Sequence, residues 1–337
     1  MNIQENISLL PYNTFGIDKK AKFFSIASSE DDVIAAIKAA SSKNLPLIVL
    51  GGGSNVLLTQ DIDAWVLKID IKGVQATQID EEKIEVAVGA GEVWHDFVIH
   101  CIDQGWAGVE NLSLIPGTVG ASPMQNIGAY GIEIKDVFEK LEAINRTTLE
   151  LETFDWNECK FGYRESVFKN ELKDKYIITK VFFVLNKNPN FNVSYGAIQE
   201  TLDQMGESPL SIRKISDAVI YIRQQKLPDP KKLGNAGSFF KNPTISTDQF
   251  VELKSKFSNL PGYPVEDGVK VPAAWLIEQD GWKGKTFGNI GVHKNQPLVL
   301  VNYGNGEGKE IAKLSKSIQE SVFQKFGIML HPEVNFL

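Results

Sequence analysis

Two segments of the sequence combine glycine with small polar residues in a way that suits an anionic ligand. The first, Gly51, Gly52, Gly53, Ser54 and Asn55, directly follows an apolar run, residues 47–50. A glycine turn after a strand can aim backbone N–H groups at an anion and let it approach closely. This turn is not a P-loop, because no Gly-Lys-Ser/Thr follows it. On these residues alone, an anion-binding turn and a plain turn both stay open.

The second segment, residues 111–132, carries no charged side chain over its 22 residues. It is too rich in glycine, proline and small polar residues for a packed core, and too apolar for a solvated loop. A backbone-lined cradle for a cofactor explains both properties, because N–H donors can hold a pyrophosphate without cationic side chains. An ordinary ordered loop is the alternative. Pro116, Pro123 and the glycines exclude a membrane helix.

The charges of the chain are distributed unevenly. Its 337 residues carry 35 Lys and Arg against 42 Asp and Glu. Residues 1–206 hold 18 basic and 29 acidic side chains, whereas residues 207–337 hold 17 and 13. No Lys or Arg lies in residues 84–134. This pattern argues against binding to nucleic acid, which requires phosphate neutralisation, and against binding to an anionic membrane surface.

The sequence predicts both helices and strands as the elements that position these segments. Ser29 is a helix-start residue, and apolar residues then recur at helical spacing from Val33 to Ala40. Residues 84–88 alternate as in a strand, and residues 177–185 form another strand candidate. Helical stripes recur in residues 212–222 and 311–322. Loop-rich patches in residues 186–209 and the change in charge balance predict a domain boundary near residue 206.

Four further motifs follow the two glycine-containing segments in order. They are Phe-Gly-Tyr-Arg-Glu-Ser at residues 161–166, Lys-Leu-Pro-Asp-Pro at 226–230, Gly-Ser-Phe-Phe-Lys-Asn-Pro at 237–243 and Pro-Glu-Val at 332–334. Over nearly its full length the chain resembles the UDP-N-acetylenolpyruvoylglucosamine reductase family, with a type I-like pattern.

The resemblance implies the fold. It is an α+β (mixed α/β) fold, with a two-part FAD-binding domain of the p-cresol methylhydroxylase type at residues 1–206, whose core is about residues 17–187. A smaller α/β substrate-binding domain follows at residues 207–337, and its last residues return to the active site.

The resemblance also implies a reaction, the reduction of UDP-N-acetylglucosamine enolpyruvate to UDP-N-acetylmuramate in peptidoglycan precursor synthesis. Hydride passes from NADPH to non-covalently bound FAD and then to the enolpyruvyl double bond. Negative charge then develops on the substrate carboxylate, so the site needs a cationic clamp and a proton donor. Arg164 matches the residue that stabilises this enolate, Ser238 the proton donor and Glu333 a third catalytic position. Without the resemblance, Arg164 and Glu333 resemble surface residues and Ser238 a turn or helix cap.

The remaining site residues follow from the same resemblance. Those assigned to FAD are Gly51, Gly52, Gly53, Ser54, Asn55, Ile115, Pro116, Gly117, Thr118, Gly120, Ala121, Ser122, Gln125, Asn126, Gly128, Ala129 and Arg223. Those assigned to the substrate are Tyr163, Tyr195, Lys226, Asn242, Tyr263, Lys283 and Gln296. Tyr195 lies in residues 192–196, which resemble the tyrosine-bearing loop that folds over bound substrate in type I members. The basic excess of residues 213–232 suits a diphosphate, although a charge run is usually a solvated face.

One position departs from the family pattern. Asn335 stands where family members often carry Arg after Pro-Glu-Val, so any contact of that Arg with flavin or substrate is in doubt. The four histidines show no metal-ligand spacing, and no metal is predicted. Cys101 and Cys159 are too few for a disulfide scaffold and favour a reduced compartment.

Location, assembly and two alternative functions complete the expectations. The N-terminus shows no signal peptide, and the family's location implies the cytoplasm. A monomer is expected, because no heptad pattern and no exposed apolar helix demands a dimer. A flavin oxidase of the same superfamily fold is one alternative, but no histidine for covalent flavin attachment lies in residues 51–55 or 115–130. A catalytically silent nucleotide-sugar binding module is the other, and it has no use for a proton donor such as Ser238.

Overall fold

The computed structural model describes residues 1–206 and 209–337. Its strands, in chain order, are β1 Ile3–Ser8, β2 Lys20–Ala27, β3 Leu47–Leu50, β4 Val56–Leu57, β5 Ile62–Ile69, β6 Val74–Gln78, β7 Lys83–Gly89, β8 Gly128–Ala129, β9 Ile132–Glu133, β10 Phe138–Asn145, β11 Leu151–Asp155, β12 Tyr176–Asn186, β13 Thr244–Ile245, β14 Tyr263–Val265, β15 Gly268–Lys270, β16 Thr286–Phe287, β17 Ile290–Val292, β18 Leu300–Asn302 and β19 Asn335–Phe336. Its α-helices are α1 Glu30–Ser42, α2 Trp94–Asp103, α3 Gly196–Met205, α4 Ile212–Lys226, α5 Thr247–Lys256, α6 Ala273–Gln279 and α7 Gly308–Phe326.

Two compact units, each assembled from separate stretches of chain, divide the molecule. Unit 1 comprises Met1–Ile7, Ala21–Gly52 and Ile62–Gln225; unit 2 comprises Ser8–Lys20, Gly53–Asp61 and Lys226–Leu337. Helix α4 therefore packs in unit 1 except for its last residue, although its sequence position groups it with the C-terminal half. The ligand-binding domains predicted at residues 1–206 and 207–337 stay a prediction, and Glu207 lies outside the described residues.

In unit 1, a small sheet has the strand order β1-β2-β5-β3. Strands β2, β5 and β3 run parallel, so successive strands are joined by crossover connections, and α1 lies in the connection from β2 to β3. The predicted helix start at Ser29 is confirmed, because its side chain accepts a hydrogen bond from the N–H of Asp32. The apolar side of α1, including Val33 and Ala40, is buried.

A second sheet of unit 1, with the order β11-β10-β12-β7-β6, is antiparallel between all its neighbouring strands. Helix α2 contributes Trp94 and Phe97 to the core beside this sheet, and the ring of Phe97 stacks on that of Phe183 at 5.2 Å between centroids. The strands predicted at residues 84–88 and 177–185 are confirmed as β7 and β12.

Unit 2 is made of short sheets, the short helices α5 and α6, and the longer helix α7. Its sheets have the orders β13-β15-β14, β16-β17-β18 and β19-β4. Helix α7 buries the predicted stripe from Ile311 to Val322 and ends at Gly327, whose φ of 67° is typical of a helix C-terminus. Among the helices of the described residues, none has the length and apolarity that crossing a membrane requires.

Candidate active site

The two predicted FAD segments approach each other closely in unit 1. A Cβ atom added to Gly52 would lie 2.8 Å from the Cα atom of Gly117, and one added to Gly51 would lie 2.7 Å from the Oγ1 atom of Thr118. Real Cβ atoms do not approach other atoms this closely, so only glycine allows these loops to touch. The structure therefore brings Gly51 and Gly52 together with Gly117 and Thr118.

The charge-free segment is anchored on the turn that leads into α2. The N–H of Val119 donates to the carbonyl of Glu92 at 2.8 Å, and that of Gly120 donates to Ala90 at 2.9 Å. The N–H groups of Ala121 and Ser122 also donate within the segment, at 3.0 Å each. These donors support the loop itself, so the predicted contacts of residues 120–122 with a cofactor would have to use other atoms.

A cation reaches the charge-free segment from a distant part of the chain. Arg223, on α4, donates from Nε to the carbonyl of Leu114 at 3.2 Å. Burial lowers the pKa of the Arg223 guanidinium; the nearby Tyr130 opposes this change and the positive charge of Arg164 adds to it. Backbone alone thus does not line this region, since Arg223 and Arg164 supply positive charge beside it.

The Leu114 peptide is held from both sides. Its N–H donates to Nδ1 of His95 at 3.0 Å, while its carbonyl accepts from Arg223. Leu114 adopts a φ of 59°, a conformation that is unfavourable for a branched side chain. Burial lowers the pKa of His95, and the charge of Arg223 lowers it further against the opposing effect of Asp96. A neutral imidazole with Nδ1 as acceptor fits this environment.

The predicted catalytic Arg164 lies in a tight turn. Gly162 and Glu165 exchange backbone hydrogen bonds of 3.0 and 3.2 Å, which places Tyr163 and Arg164 at the turn centre. Arg164 has a φ of 57°, as the third residue of a type II turn requires. The carbonyl of Arg164 accepts from Nζ of Lys169 at 3.2 Å. This strained conformation at a predicted catalytic residue fits a functional constraint.

Tyr130 is a candidate that the sequence prediction omitted. Its ring meets that of Tyr195 edge-to-face at 5.3 Å between centroids, and burial raises the pKa of its hydroxyl. Nδ2 of Asn111 donates to the carbonyls of Tyr130 and Asn192, at 3.1 and 2.9 Å. The loop bearing Tyr195 is thereby tied to the charge-free segment. The signal in the sequence was a tyrosine between Ala129 and Gly131 in a segment otherwise made of small residues.

In unit 2, the predicted residues Ser238 and Glu333 lie on neighbouring stretches of backbone. The N–H of Glu333 donates to the carbonyl of Phe239 at 2.8 Å, and Phe240 pairs with Pro332. Ser238 is exposed and follows Gly237, whose φ is 69°. Residues 239–243 are not helical, so this serine is not a helix cap.

The C-terminal tail also joins the end of the first glycine-containing segment to Glu333. Strand β19 pairs in parallel with β4, and Nδ2 of Asn55 donates to the carbonyl of Glu333 at 3.1 Å. Asn335 donates to the carbonyl of Asn55 from its backbone N–H at 3.0 Å and from Nδ2 at 3.1 Å. Asn335 therefore has a role within unit 2, and it connects the tail to Asn55.

The predicted substrate residues of unit 2 have local roles in the structure. Oδ1 of Asn242 accepts from the N–H of Ala273 at 2.9 Å and so supports the start of α6. Lys283 forms an ion pair with Glu278 at 2.7 Å. Oε1 of Gln296 accepts from the N–H of Leu298 at 3.5 Å, and Tyr263 is 61% exposed. Of this set, Tyr263 has the surface that a ligand can cover most readily.

Comparison with known proteins defines the class first. Residues 21–152 match the family model of an FAD binding domain. The chain also has the fold of 6-hydroxy-D-nicotine oxidase from Arthrobacter nicotinovorans, with a TM-score of 0.56, 12% identity, and coverage of 97% of this chain and 86% of that one. The predicted fold class is confirmed, and the protein is an FAD-dependent oxidoreductase.

The particular family follows from the rest of the chain. Residues 229–337 match the model of the UDP-N-acetylenolpyruvoylglucosamine reductase C-terminal domain. Reductases of that name from Amoebophilus asiaticus and Flavobacterium johnsoniae are 51% and 53% identical, with full coverage of both chains. A crystal structure of the reductase from Thermus caldophilus has a TM-score of 0.69 at 22% identity, covering 100% of this chain and 99% of that one. The chain belongs to the UDP-N-acetylenolpyruvoylglucosamine reductase family, whose function lies in peptidoglycan precursor synthesis.

Proposed function

We propose that the protein reduces the enolpyruvyl ether of UDP-N-acetylglucosamine enolpyruvate to the lactyl ether of UDP-N-acetylmuramate, with NADPH as the electron source. The observation that carries the proposal is 51% identity over the full length to a reductase of this family. FAD, when bound, supplies the hydride chemistry between donor and substrate. The chain's own residues then have to orient the substrate, balance its charge and deliver a proton.

Arg164 is proposed to stabilise the enolate that forms when hydride adds to the carbon β to the carboxylate. A guanidinium suits this role because its planar fork can pair with a carboxylate through two hydrogen bonds. The positive φ of 57° at Arg164 and the charge of nearby Arg223 support the proposal. Two cations in a partly buried region favour an anionic ligand.

Ser238 is proposed to donate the proton to the α carbon. A serine hydroxyl is a weak acid, so it can serve only a strongly basic acceptor such as an enolate. The exposed position of Ser238 after the Gly237 turn supports the proposal, because the hydroxyl is accessible to a ligand. Glu333, on the adjoining stretch of backbone, is proposed to orient the carboxyl end of the substrate or a water molecule.

The ligand-binding residues are proposed in two groups. Arg223 and the loops of Gly51–Gly52 and Gly117–Thr118 would hold the FAD diphosphate. Tyr163, Tyr195, Lys226, Asn242, Tyr263, Lys283 and Gln296 would hold the UDP-sugar. Tyr130 joins the second group, because it contacts Tyr195 directly. The cytoplasmic location and the monomeric state stay predictions.

Anaerobic spectroscopy tests the proposed function. Purified protein loaded with FAD is titrated with NADPH without oxygen, and UDP-N-acetylglucosamine enolpyruvate is then added. The proposal predicts loss of the flavin band with NADPH and its return with the enolpyruvyl substrate. A band that returns only when oxygen is admitted indicates an oxidase and contradicts the proposal. A protein that takes up FAD but is not reduced by NADPH contradicts the proposed donor.

A further inference from the structure

The side chain of Asn126 uses its hydrogen-bonding groups entirely within unit 1. Nδ2 donates to Oε2 of Glu133 at 2.9 Å and to the carbonyl of Gly162 at 3.1 Å. Oδ1 accepts from the N–H of Lys135 at 3.2 Å. The residue is fully buried, at 0% exposure. An asparagine amide has two N–H donors, and both are engaged here. The predicted contact with FAD therefore has no donor left in this side chain.

Asn126 reaches the turn that carries Arg164. Its partner Gly162 is the first residue of the Arg164 turn, defined as residues 162–165, and the turn's backbone bonds close it around Tyr163 and Arg164. A second bond joins the same two regions just beyond the turn, where Oγ of Ser166 donates to the carbonyl of Met124 at 2.8 Å. The charge-free segment is thus bonded to the chain at both ends of the Arg164 turn.

The backbone conformation explains why such bonds are needed. Arg164 has a φ of 57°, which is unfavourable for any residue with a Cβ atom. A strained conformation persists only where surrounding contacts fix it. We propose that Asn126 is a positioning residue that holds the Arg164 turn, and thereby the Arg164 guanidinium, rather than a ligand of FAD. This inference rests on the catalytic role proposed for Arg164.

Two substitutions of Asn126 distinguish the effect of losing the side-chain amide from an effect on the backbone conformation. Asn126 has a φ of 43°, so Asn126→Gly removes the amide without introducing backbone strain. Asn126→Asp keeps the size and replaces both N–H donors with an oxygen. That oxygen faces the Glu133 carboxylate and the Gly162 carbonyl, and both contacts become repulsive.

Four measurements on these variants test the role. Hydrogen exchange of the FAD-free protein is expected to be about tenfold faster in residues 161–166. FAD affinity and the rate of flavin reduction by NADPH are expected to stay within about threefold of wild type. Reoxidation of the reduced flavin by the enolpyruvyl substrate is expected to slow by about 10- to 100-fold, because small misplacements of a catalytic group cost that much. Unchanged exchange together with a tenfold loss of FAD affinity would overturn the proposal and make Asn126 a cofactor ligand.

A second-site change tests the mechanism of the defect. In the double variant Asn126→Asp/Glu133→Gln, the amide introduced at position 133 can donate to the carboxylate introduced at position 126. This restores one hydrogen bond between the two positions. Substrate reduction is expected to be at least about threefold faster than in Asn126→Asp alone, with the single variant Glu133→Gln as reference. No recovery, in either exchange or rate, would contradict the proposed bonding pattern.

Asn145→Ala is the matched control. Asn145 also holds a turn in unit 1: its Nδ2 donates to Oε1 of Glu152 at 2.8 Å and its Oδ1 accepts from the N–H of Thr147 at 2.9 Å. This variant is expected to lower the free energy of unfolding but to leave exchange in residues 161–166 and both half-reactions unchanged. If wild-type protein does not reduce the enolpyruvyl substrate, the proposed function fails, and the exchange measurement still decides whether Asn126 holds the turn.

Discussion

The predicted catalytic residues of the two units are fixed in different ways. In unit 1, Arg164 lies in a strained turn that side chains hold, namely those of Asn126 and Ser166. In unit 2, Ser238 and Glu333 lie on stretches that are joined mainly through the backbone, between the carbonyl of Phe239 and the N–H of Glu333, and Nδ2 of Asn55 adds one side-chain bond to the carbonyl of Glu333. Backbone pairing tolerates side-chain changes, whereas side-chain bonds do not. We therefore expect unit 1 to be the more sensitive to substitutions outside the catalytic groups.

The source of positive charge differs as well. Arg223 of unit 1 is partly buried, and burial lowers its pKa. Lys283 of unit 2 is paired with Glu278 at 2.7 Å on the surface. A charge in a partly buried position acts on a ligand with less screening than a paired surface charge. Unit 1 thus presents a partly buried cation, and unit 2 presents a cation that is paired on the surface and solvated.

The largest expected effect tests the reacting group of unit 2. Ser238→Ala is expected to slow turnover of the enolpyruvyl substrate by about 10²- to 10⁴-fold, the range for loss of general acid catalysis. Flavin reduction by NADPH is expected to persist, because it needs no proton donor to the substrate. Stopped-flow absorbance separates the two half-reactions.

Ser246→Ala is the control for Ser238→Ala. Its hydroxyl accepts from the N–H of Gln249 at the start of α5, so its loss should cost about 1 kcal/mol of stability and leave turnover intact. Near-normal turnover in Ser238→Ala would show that another group delivers the proton.

The next effect concerns the glycine contact of unit 1. Gly52→Ala places a Cβ atom 2.8 Å from Gly117 Cα, so the two loops must separate. FAD affinity is therefore expected to fall by about tenfold or more, which corresponds to about 1.4 kcal/mol of binding free energy. Fluorescence titration of FAD-free protein measures this. Gly196→Ala, where an added Cβ meets nothing within 4 Å, is the control. Equal affinities for the two variants would refute a cradle built on this contact.

A smaller effect is expected from the tail of unit 2. Asn335→Ala removes the Nδ2 bond to Asn55 but retains the backbone bond at 3.0 Å, so the rate of substrate reduction should fall by no more than about threefold. The comparison with Asn126→Gly is direct, since each variant removes one amide. A larger loss for Asn335→Ala than for Asn126→Gly would reverse the expected order of sensitivity.

The smallest effect is on stability. The pKa of His95 is lowered in the folded protein from its usual 6.5. At higher pH the ring is neutral in both the folded and the unfolded chain, so its protonation does not reduce the free energy of unfolding. As the pH falls below 6.5 towards the folded pKa, the unfolded chain binds a proton first, and the free energy of unfolding decreases. Because the ring is only partly buried, the slope should stay below about 1.4 kcal/mol per pH unit.

Denaturant unfolding of FAD-free wild type and His95→Gln from about pH 5 to about pH 8, a range that spans the usual histidine pKa, checks this. The variant should lose that part of the slope, since glutamine retains an acceptor for the Leu114 N–H but does not titrate. Identical pH profiles would show that His95 does not contribute.

Local patterns predicted the elements, whereas tertiary contacts decide the site. Helix α1 and its cap at Ser29, strand β12 and the apolar side of α7 follow from spacing that is visible within a few residues. The packing of α4 with unit 1 could not be read from the sequence, because it depends on long-range contacts such as the buried pair of Ser113 and Ser216.

The same limit applies to individual side chains. Gly51 and Gly52 could be singled out because glycine marks a close backbone approach. Asn126 and Asn335 could not be separated from ligand-binding residues, because an asparagine that bonds to its own chain has the same letter as one that bonds to FAD. His95 and Tyr130 were missed because their partners, Leu114 and Tyr195, are 19 and 65 positions away.

An anaerobic single turnover, followed by analysis of the product, tests most directly whether the protein reduces the enolpyruvyl ether. FAD-loaded enzyme, reduced with one equivalent of NADPH and freed of excess donor, is mixed with UDP-N-acetylglucosamine enolpyruvate. The oxidised flavin band is expected to return in step with a product that is heavier than the substrate by two hydrogen atoms. A flavin that stays reduced until oxygen is admitted, with the substrate recovered unchanged, would contradict it.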